Sequence, residues 1–284
     1  MLRSRLAGLA TLTLVVGVSA SASHAATQLQ VTVENLQPSG SFSFTPVYFG
    51  LHDGSFDAFT FNAAASDGIE ILAELGDPST VRDERIAAAP GSQGFVVAAP
   101  GDGFPPISPG ESAVEVIDVA DALNNRYLTL LSMVIPSNDL FFGNDNPFAY
   151  EIFDAAGNFL GPQSIEITAE QFYDAGTEIN DALEGPAFVT NANTPPNGVG
   201  GADEGGVVTL AENLPSEFGS AVTPAGALDG SLLNFADDRA SFALARITIT
   251  EVAAPVPLPA GAVLGLSGLL AMGGLRAFRR SKTR

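Results

Sequence analysis

Residues 29–34 have the sequence LQVTVE, in which every apolar residue is followed by a polar one. Side chains of a β-strand point alternately to its two faces, so this pattern predicts a strand with one buried face. Residues 242–252, FALARITITEV, alternate in the same way much later in the chain. The two stretches predict a β-rich fold whose first and last strands each bury one side.

The residues between these stretches supply further signals of the same kind. Two helices are predicted, over 68–76 and 79–88, and the Asn-, Pro- and Gly-rich stretch 190–206 indicates a long loop. Phenylalanine occurs 19 times and tryptophan is absent, a composition that suits phenylalanines packed between two sheets. We therefore expect residues 27–251 to form one all-β domain, an antiparallel β-sandwich with short helices. The remaining predicted strands are 42–44, 47–49, 94–98, 113–119, 127–135 and 149–153, the last followed by a hairpin turn at 154–158.

The charges are distributed unevenly along the 284 residues. The net charge is −20, but seven basic residues lie at the two ends; the middle holds five arginines and all 32 acidic residues, which gives it a net charge of −27. Such a body disfavours nucleic acid and anionic membrane surfaces as partners and attracts divalent cations. Cysteine is absent, so a thiolate metal site and a disulfide framework are excluded.

The first 25 residues have the features of a secretory signal peptide. Arg3 and Arg5 precede an apolar run over 6–18, and small residues end at Ala25. The run is too short to span a membrane comfortably, although a retained anchor stays open as an alternative. We therefore expect an exported chain, from which cleavage removes His24 and leaves His52 as its single histidine.

The C-terminal end predicts a membrane segment. Residues 252–260 form a proline-containing linker, 261–278 an apolar transmembrane helix, and 279–284 a basic tail. The bias of basic residues towards the cytoplasm places the tail inside and the body outside. Taken alone, these features indicate a stop-transfer anchor.

A more specific pattern is present at the same end. The sequence Val256-Pro257-Leu258-Pro259-Ala260, followed by an apolar helix and an arginine cluster, resembles the PEP-CTERM class of bacterial sorting signals in its VPLPA variant. The resemblance implies a membrane exosortase as partner, cleavage near the motif, and transfer to the cell surface or the medium. A permanent anchor remains the alternative.

Two acidic clusters carry the candidate chemistry. Asp139 follows an apolar strand in the stretch 133–143, and Asp174 and Glu178 lie in the stretch 173–181. Carboxylates on short loops are typical calcium ligands, so we predict that these two segments converge on one ion. The alternative is that aspartates at turns bond their own backbone, and no EF-hand spacing is present.

The same clusters also carry a resemblance to a known family. Pro136, Ser137, Asp139 and Gly143, with the later run 174–178 (DAGTE), are similar to motifs of the spondin N-terminal domain. The resemblance implies a calcium-binding β-sandwich of extracellular matrix and adhesion proteins, with Asp139, Asp174 and Glu178 as metal ligands. The sequence departs from animal members, since Leu140 replaces their tryptophan, cysteines are absent, and Glu178 stands where they have aspartate.

Catalysis is the competing class of function. His52 lies close to Asp53 and Ser55, but neighbours in sequence do not make a triad, and we expect His52 to be a surface or loop residue. Paired carboxylates also fit a glycan-active enzyme or a periplasmic binding protein. The favoured prediction is a non-enzymatic, calcium-binding surface or extracellular-matrix protein that binds a matrix polysaccharide or a surface partner.

Overall fold

The computed structural model describes residues 26–252, apart from Phe104. The predicted signal peptide, the motif at 256–260, the predicted transmembrane helix 261–278 and the tail 279–284 lie outside the described residues. Within the described part, no helix is both long enough and apolar enough to span a membrane.

The described chain is mostly β-structure with two α-helices and a few short 3₁₀ helices. The strands are β1 Thr27–Asn35, β2 Ser43–Phe44, β3 Val47–His52, β4 Gln93–Val97, β5 Ser112–Val119, β6 Tyr127–Ile135, β7 Leu140–Gly143, β8 Gln163–Thr168, β9 Phe172–Asp174, β10 Thr209–Leu210, β11 Val222–Thr223, β12 Gly226–Ala227 and β13 Ala243–Glu251. The α-helices are α1 Asp67–Leu75 and α2 Ser79–Ala88. The 3₁₀ helices are Ala122–Asn124, Ala169–Gln171, Ser216–Ser220, Gly230–Leu232 and Ala236–Asp238.

The first and last strands of the body lie side by side in a four-stranded antiparallel sheet. Its order is β5-β1-β13-β8, and Val31 of β1 is paired with Ile249 of β13. Leu29, Val31 and Val33 are buried, whereas the residues between them are exposed or half-buried. The alternation of the sequence therefore has the predicted structural cause, which is one face in the core and one face towards solvent.

A second antiparallel sheet packs on the buried face of the first. Its order is β10-β9-β7-β6-β3-β4, with β2 also paired to β6. All residues of β6 after Tyr127 are buried, because the core covers one face of the strand and α1 packs against the other. This double coverage explains why 128–135 is almost continuously apolar instead of alternating.

The two helices form a layer over the second sheet. Ser66 begins α1 by accepting a hydrogen bond from Ile69 N (3.2 Å), and Gly76 ends it in the left-handed conformation at φ 70°. Leu72 is buried in the same cluster as Phe141 of β7, so α1 covers the strand that follows Asp139. On the opposite face of the sheet, phenylalanines meet edge to face between the sheets, among them Phe42, Phe44, Phe142 and Phe172.

Most predicted elements are confirmed, and one strand prediction was wrong. Strand 127–135 and helix 79–88 have the predicted bounds, and 190–206 contains no regular element. Residues 149–153 form only isolated bridges, because the chain turns directly afterwards: Asp154 accepts hydrogen bonds from Ala156 N and Asn158 N, both at 2.8 Å. The predicted turn at 154–158 is therefore present, but the predicted strand at 149–153 before it is not. The sequence prediction also missed several short strands, of which β7 and β9 build the site described next.

Candidate metal centre

Asp139 is held at the tight turn between β6 and β7. The hydroxyl of Ser137 donates to Val134 O (2.6 Å) and accepts from Leu140 N (3.0 Å), so it closes this turn with one side chain. Next to the turn, Leu140 of β7 is paired with Asp174 of β9, and Ala175 N donates to Asp139 O (3.2 Å). The pairing of two short strands therefore brings Asp139 beside Asp174, as the sequence predicted.

The carboxylate of Asp139 is fully buried and only half satisfied. Its Oδ2 accepts hydrogen bonds from Thr177 N (2.9 Å), Glu178 N (3.1 Å) and the Thr177 hydroxyl (3.3 Å). Its Oδ1 has no hydrogen-bond partner among the described residues, although the side chain is 0% exposed. Burial of a carboxylate oxygen without a hydrogen-bond partner costs free energy, so a cation or a proton bound at this atom would stabilise the fold.

Asp174 lies partly buried beside it. Its Oδ1 accepts from Gly176 N (2.8 Å) and its Oδ2 accepts from Asn180 Nδ2 (3.1 Å). Gly176 has a φ of 70°, and a Cβ there would stand 2.6 Å from Val207 N. Glycine is therefore required at this position, both for the backbone conformation and for the close approach of the returning chain.

The returning chain brings in a third carboxylate, that of Glu204. Glu204 N donates to Thr177 O (2.9 Å) and Gly206 N donates to Gly176 O (2.7 Å), so the segment around 202–206 runs along the segment after β9. Carboxylate oxygens of Asp139, Asp174 and Glu204 all lie within 4.8 Å of one another. Burial decreases across the three, from Asp139 through Asp174 to the exposed Glu204.

Burial and neighbouring charge raise the pKa values of the two aspartates of this group. Burial first, and then the charges of Asp174 and Glu204, raise the pKa of Asp139 to about 7, although the hydrogen bonds from 177 and 178 oppose the rise. The pKa of Asp174 is also raised, first by burial and then by Glu204. A nearby positive charge would therefore favour the ionised forms of Asp139 and Asp174, and the group of three carboxylates could hold a metal ion.

Glu178, the third predicted ligand, lies outside this group of three. Its Oε2 accepts from Asn138 Nδ2 (3.2 Å), and Gly201 passes so close to its Oε1 that a Cβ there would collide with the carboxylate. The contribution of Glu178 to Asp139 is its backbone N–H, which donates to Asp139 Oδ2, while its carboxylate is bound to Asn138.

Glu204 was missed by the sequence prediction. It stands in the stretch GGADEGG over 200–206, which was interpreted only as part of a long loop. The available signal was an acidic pair flanked by glycines, since glycines allow a chain to approach another backbone closely. Its partner Asp174 is far away in sequence, and only the folded loop brings the two together.

His52 is not on the surface, so that expectation was wrong. It ends β3 with 0% exposure; its Nε2 is hydrogen-bonded to Thr129 Oγ1 (3.0 Å) and its Nδ1 accepts from Gly54 N (3.0 Å). Burial lowers its pKa to about 4, which keeps the imidazole neutral. Ser55 instead donates to Asp53 (2.5 Å), so the three neighbours do not form a triad.

Comparisons with protein families and with curated sequences found no match. No protein-family model matches the chain, and no curated protein is significantly similar to it in sequence. The class that fold and site define is therefore a mostly antiparallel β-protein, consistent with a β-sandwich, with an acidic group that could bind a metal ion.

Proposed function

We propose that this chain is an exported bacterial surface or extracellular-matrix protein whose β-sandwich binds calcium. The observation that carries the proposal is that Asp139, whose fully buried Oδ1 has no partner among the described residues, belongs to a group of three carboxylates with Asp174 and Glu204. Acidic clusters are common on acidic proteins, but a buried carboxylate oxygen with no donor is rare.

The chemistry of the ligand set favours calcium over other common ions. Calcium accepts six to eight oxygen ligands in a flexible geometry, whereas magnesium demands near-ideal octahedral geometry and gives up its bound water reluctantly. Three carboxylates from separate segments, with oxygens within 4.8 Å of one another, therefore suit calcium. Zinc prefers nitrogen and sulfur ligands, and this group offers only oxygens.

The ion would act structurally. Asp174 and Glu204 stand at the two ends of a long loop, and Asp139 lies in the core beneath them. A calcium ion shared by all three would neutralise their repulsion and tie the ends of this loop to the β6–β7 turn. Since the unfolded chain has no such site, calcium would stabilise the fold by mass action.

The sequence supports the rest of the proposal. The N-terminal signal features predict export, and the motif at 256–260 with its apolar and basic flanks predicts sorting by an exosortase and release to the surface. The resemblance to spondin N-terminal motifs supports adhesion to a matrix polysaccharide or a surface partner. Mass spectrometry of surface material should find a mature chain that lacks Gly261 onward; an intact C-terminus would contradict processing.

The burial of Asp139 supports a binding role over the alternative of a glycan-active enzyme. A general acid must touch its substrate, and Asp139 has no exposed surface. The enzyme alternative requires hydrolysis of a glycan that is lost in Asp139→Asn. Absence of turnover by the wild-type protein, together with calcium binding, would agree with the proposal.

Calcium titration of the whole protein tests the metal site directly. Calcium should raise the melting temperature in proportion to the logarithm of its concentration, and a chelator should reverse the rise. Magnesium at the same concentration is the matched control and should have a clearly smaller effect. A melting temperature that is insensitive to calcium and chelator would contradict the proposal.

A further inference from the structure

A cavity of about 530 Å³ lies between the second sheet and the ends of the two α-helices. Its volume is in the range of small-molecule sites, and its surface is mainly apolar. Asp139, Asp174 and Glu204 do not line it, so it is separate from the candidate metal centre. Its walls include Thr45, Tyr48, Leu75, Pro78, Val96 and Phe188.

The unusual feature beside this cavity is Arg85 of α2. The other four arginines of the described part form ion pairs with carboxylates, at Arg82, Arg126, Arg239 and Arg246. Arg85 is only 3% exposed and has no carboxylate partner among the described residues. A buried cation without a counterion is costly, and its isolation is unexpected in a body with 32 acidic residues.

Two paired glycines make room for this side chain. Gly50 of β3 is directly opposite Gly94 of β4; a Cβ on Gly50 would stand 2.8 Å from Arg85 Cδ, and one on Gly94 would stand 3.0 Å from Arg85 Nη2. Gly94 also lines the cavity. The arginine therefore lies along a trough in the sheet, with its guanidinium against the cavity wall.

The guanidinium of Arg85 has N–H groups that make no hydrogen bond to a described residue. Its Nε donates to the Tyr48 hydroxyl (2.7 Å) and its Nη1 donates to Ser92 Oγ, whereas Nη2 makes no hydrogen bond to a described residue. Because the Tyr48 oxygen accepts from Arg85, its own proton remains available for another acceptor. Tyr48 lines the cavity, so this proton can reach a ligand there.

A second cation lies one turn before Arg85 on the same helix. Arg82 lines the cavity, and its ion pair with the adjacent Asp83 is exposed and therefore weak. Burial raises the pKa of the Tyr48 hydroxyl, while the charges of Arg85 and Arg82 oppose the rise, so both cations act at this hydroxyl. The one acid in the wall, Asp77, already accepts from Ser79 N (2.8 Å).

We propose that this cavity binds a small organic carboxylate with an apolar body. The carboxylate would accept hydrogen bonds from the Tyr48 hydroxyl and the Arg82 guanidinium, both of lining residues, and the buried Arg85 would add its positive charge behind Tyr48. The apolar body would lie against Leu75, Val96 and Phe188. Arginine donors fit a carboxylate in shape and charge. The proposal is independent of the metal site and goes beyond the proposed function.

Octanoate is a suitable probe, with octylamine as the matched probe of opposite charge and galacturonate as a polar carboxylate. Calorimetric titration of the whole protein, with calcium held constant, should show binding of octanoate and no measurable binding of octylamine. Equal binding of octanoate and octylamine would contradict recognition of the carboxylate by the arginines. Binding of galacturonate but not of octanoate would contradict the claim that the ligand has an apolar body. Binding of none of the probes would contradict the proposal that the cavity is a carboxylate site.

Two variants that keep the core packed locate the binding. Tyr48→Phe removes only the hydroxyl and should weaken octanoate binding about tenfold, and Arg82→Gln should weaken it about threefold. Arg126→Gln, which alters a distant arginine, is the matched control and should leave affinity unchanged. Unchanged affinity in both Tyr48→Phe and Arg82→Gln would place octanoate elsewhere and overturn the proposal.

Discussion

The candidate metal centre and the arginine cavity both bury charge, but they do so in opposite ways. At the metal centre, the buried carboxylate of Asp139 has two further carboxylates as neighbours, and one of its oxygens lacks a donor. At the cavity, the buried guanidinium of Arg85 is held by two neutral hydroxyl groups and has no acid beside it among the described residues. The buried carboxylate of Asp139 lacks a cationic partner, and the buried guanidinium of Arg85 lacks an anionic one, among the described residues.

This difference indicates what each region can bind. The free-energy cost of removing an ion from water is offset by an opposite charge or by well-placed hydrogen bonds. Each region supplies some of these hydrogen bonds but no opposite charge from a described residue next to its buried ion. Glycines make both arrangements possible, since Gly176 lets the returning chain that carries Glu204 approach the segment after Asp174, and Gly94 leaves space for Arg85. We therefore expect the acidic region to respond to cations and the basic region to respond to anions.

The largest expected effect is that of Asp139→Asn at the metal centre. The variant keeps an oxygen that can accept from Thr177 N but loses the buried charge, so calcium affinity should fall by about 100-fold or more, which corresponds to roughly 2.7 kcal/mol. Isothermal titration calorimetry measures this. Asp118→Asn, on the exposed strand β5, is the control, and equal affinity of the two variants would show that calcium binds elsewhere.

The pH dependence of stability should differ between the calcium-loaded and the chelated protein. The pKa of Asp139 is about 7 in the folded state against 3.8 ordinarily, so between these values the folded state binds more protons than the unfolded state. Without calcium, this group therefore lowers the free energy of unfolding as pH rises through that window. Calcium replaces the proton, so the stabilisation by calcium should be larger at about pH 8 than at about pH 5.

Thermal unfolding at both pH values, with calcium and with chelator, measures this dependence. His52 contributes in the opposite sense, because its pKa is lowered to about 4 and its share of stability is lost as pH falls from 6.5. That share is the same with and without calcium, so it cancels in the difference. A calcium effect that is independent of pH would contradict the role of Asp139.

A paired substitution separates Glu204 from Glu178. Glu204→Gln should weaken calcium about tenfold, because a neutral amide oxygen replaces one of the three charges. Glu178→Gln should change affinity by no more than about twofold, since that carboxylate is bound to Asn138 and lies outside the group. Isothermal titration calorimetry measures the calcium affinity of both isosteric variants. A larger loss of affinity in Glu178→Gln than in Glu204→Gln would identify Glu178 as the ligand instead.

The smallest expected effect concerns the trough that holds Arg85. Gly50→Ala should destabilise the protein by about 1 kcal/mol, because its Cβ would stand 2.8 Å from Arg85 Cδ. In an Arg85→Ala background the same change should be neutral or stabilising, since alanine is then accommodated and restricts the unfolded chain. Urea unfolding of the four proteins gives the coupling energy, and strict additivity would mean that Arg85 does not occupy the trough.

Local patterns predicted much of the fold. Helix 79–88 and strand 127–135 were predicted with their observed bounds, because the local order of apolar and polar residues determines both elements. The predicted strand at 149–153 was wrong because the hydrogen bonds of Asp154 turn the chain at once. For the site, Asp139 and Asp174 were predicted and do meet, whereas Glu204 was missed because it reaches them from the end of a long loop.

The amino-acid sequence by itself determined the two-faced strands, the acidic body and the signals predicted at the two ends, because alternation, charge and composition act over short distances along the chain. Tertiary structure alone decided that Glu204 and not Glu178 joins Asp139 and Asp174 in one group of carboxylates, and that Arg85 is buried beside a cavity with no carboxylate partner among the described residues. Those outcomes depend on which segments, distant in sequence, contact one another in the fold. The local sequence pattern around each residue does not specify those contacts.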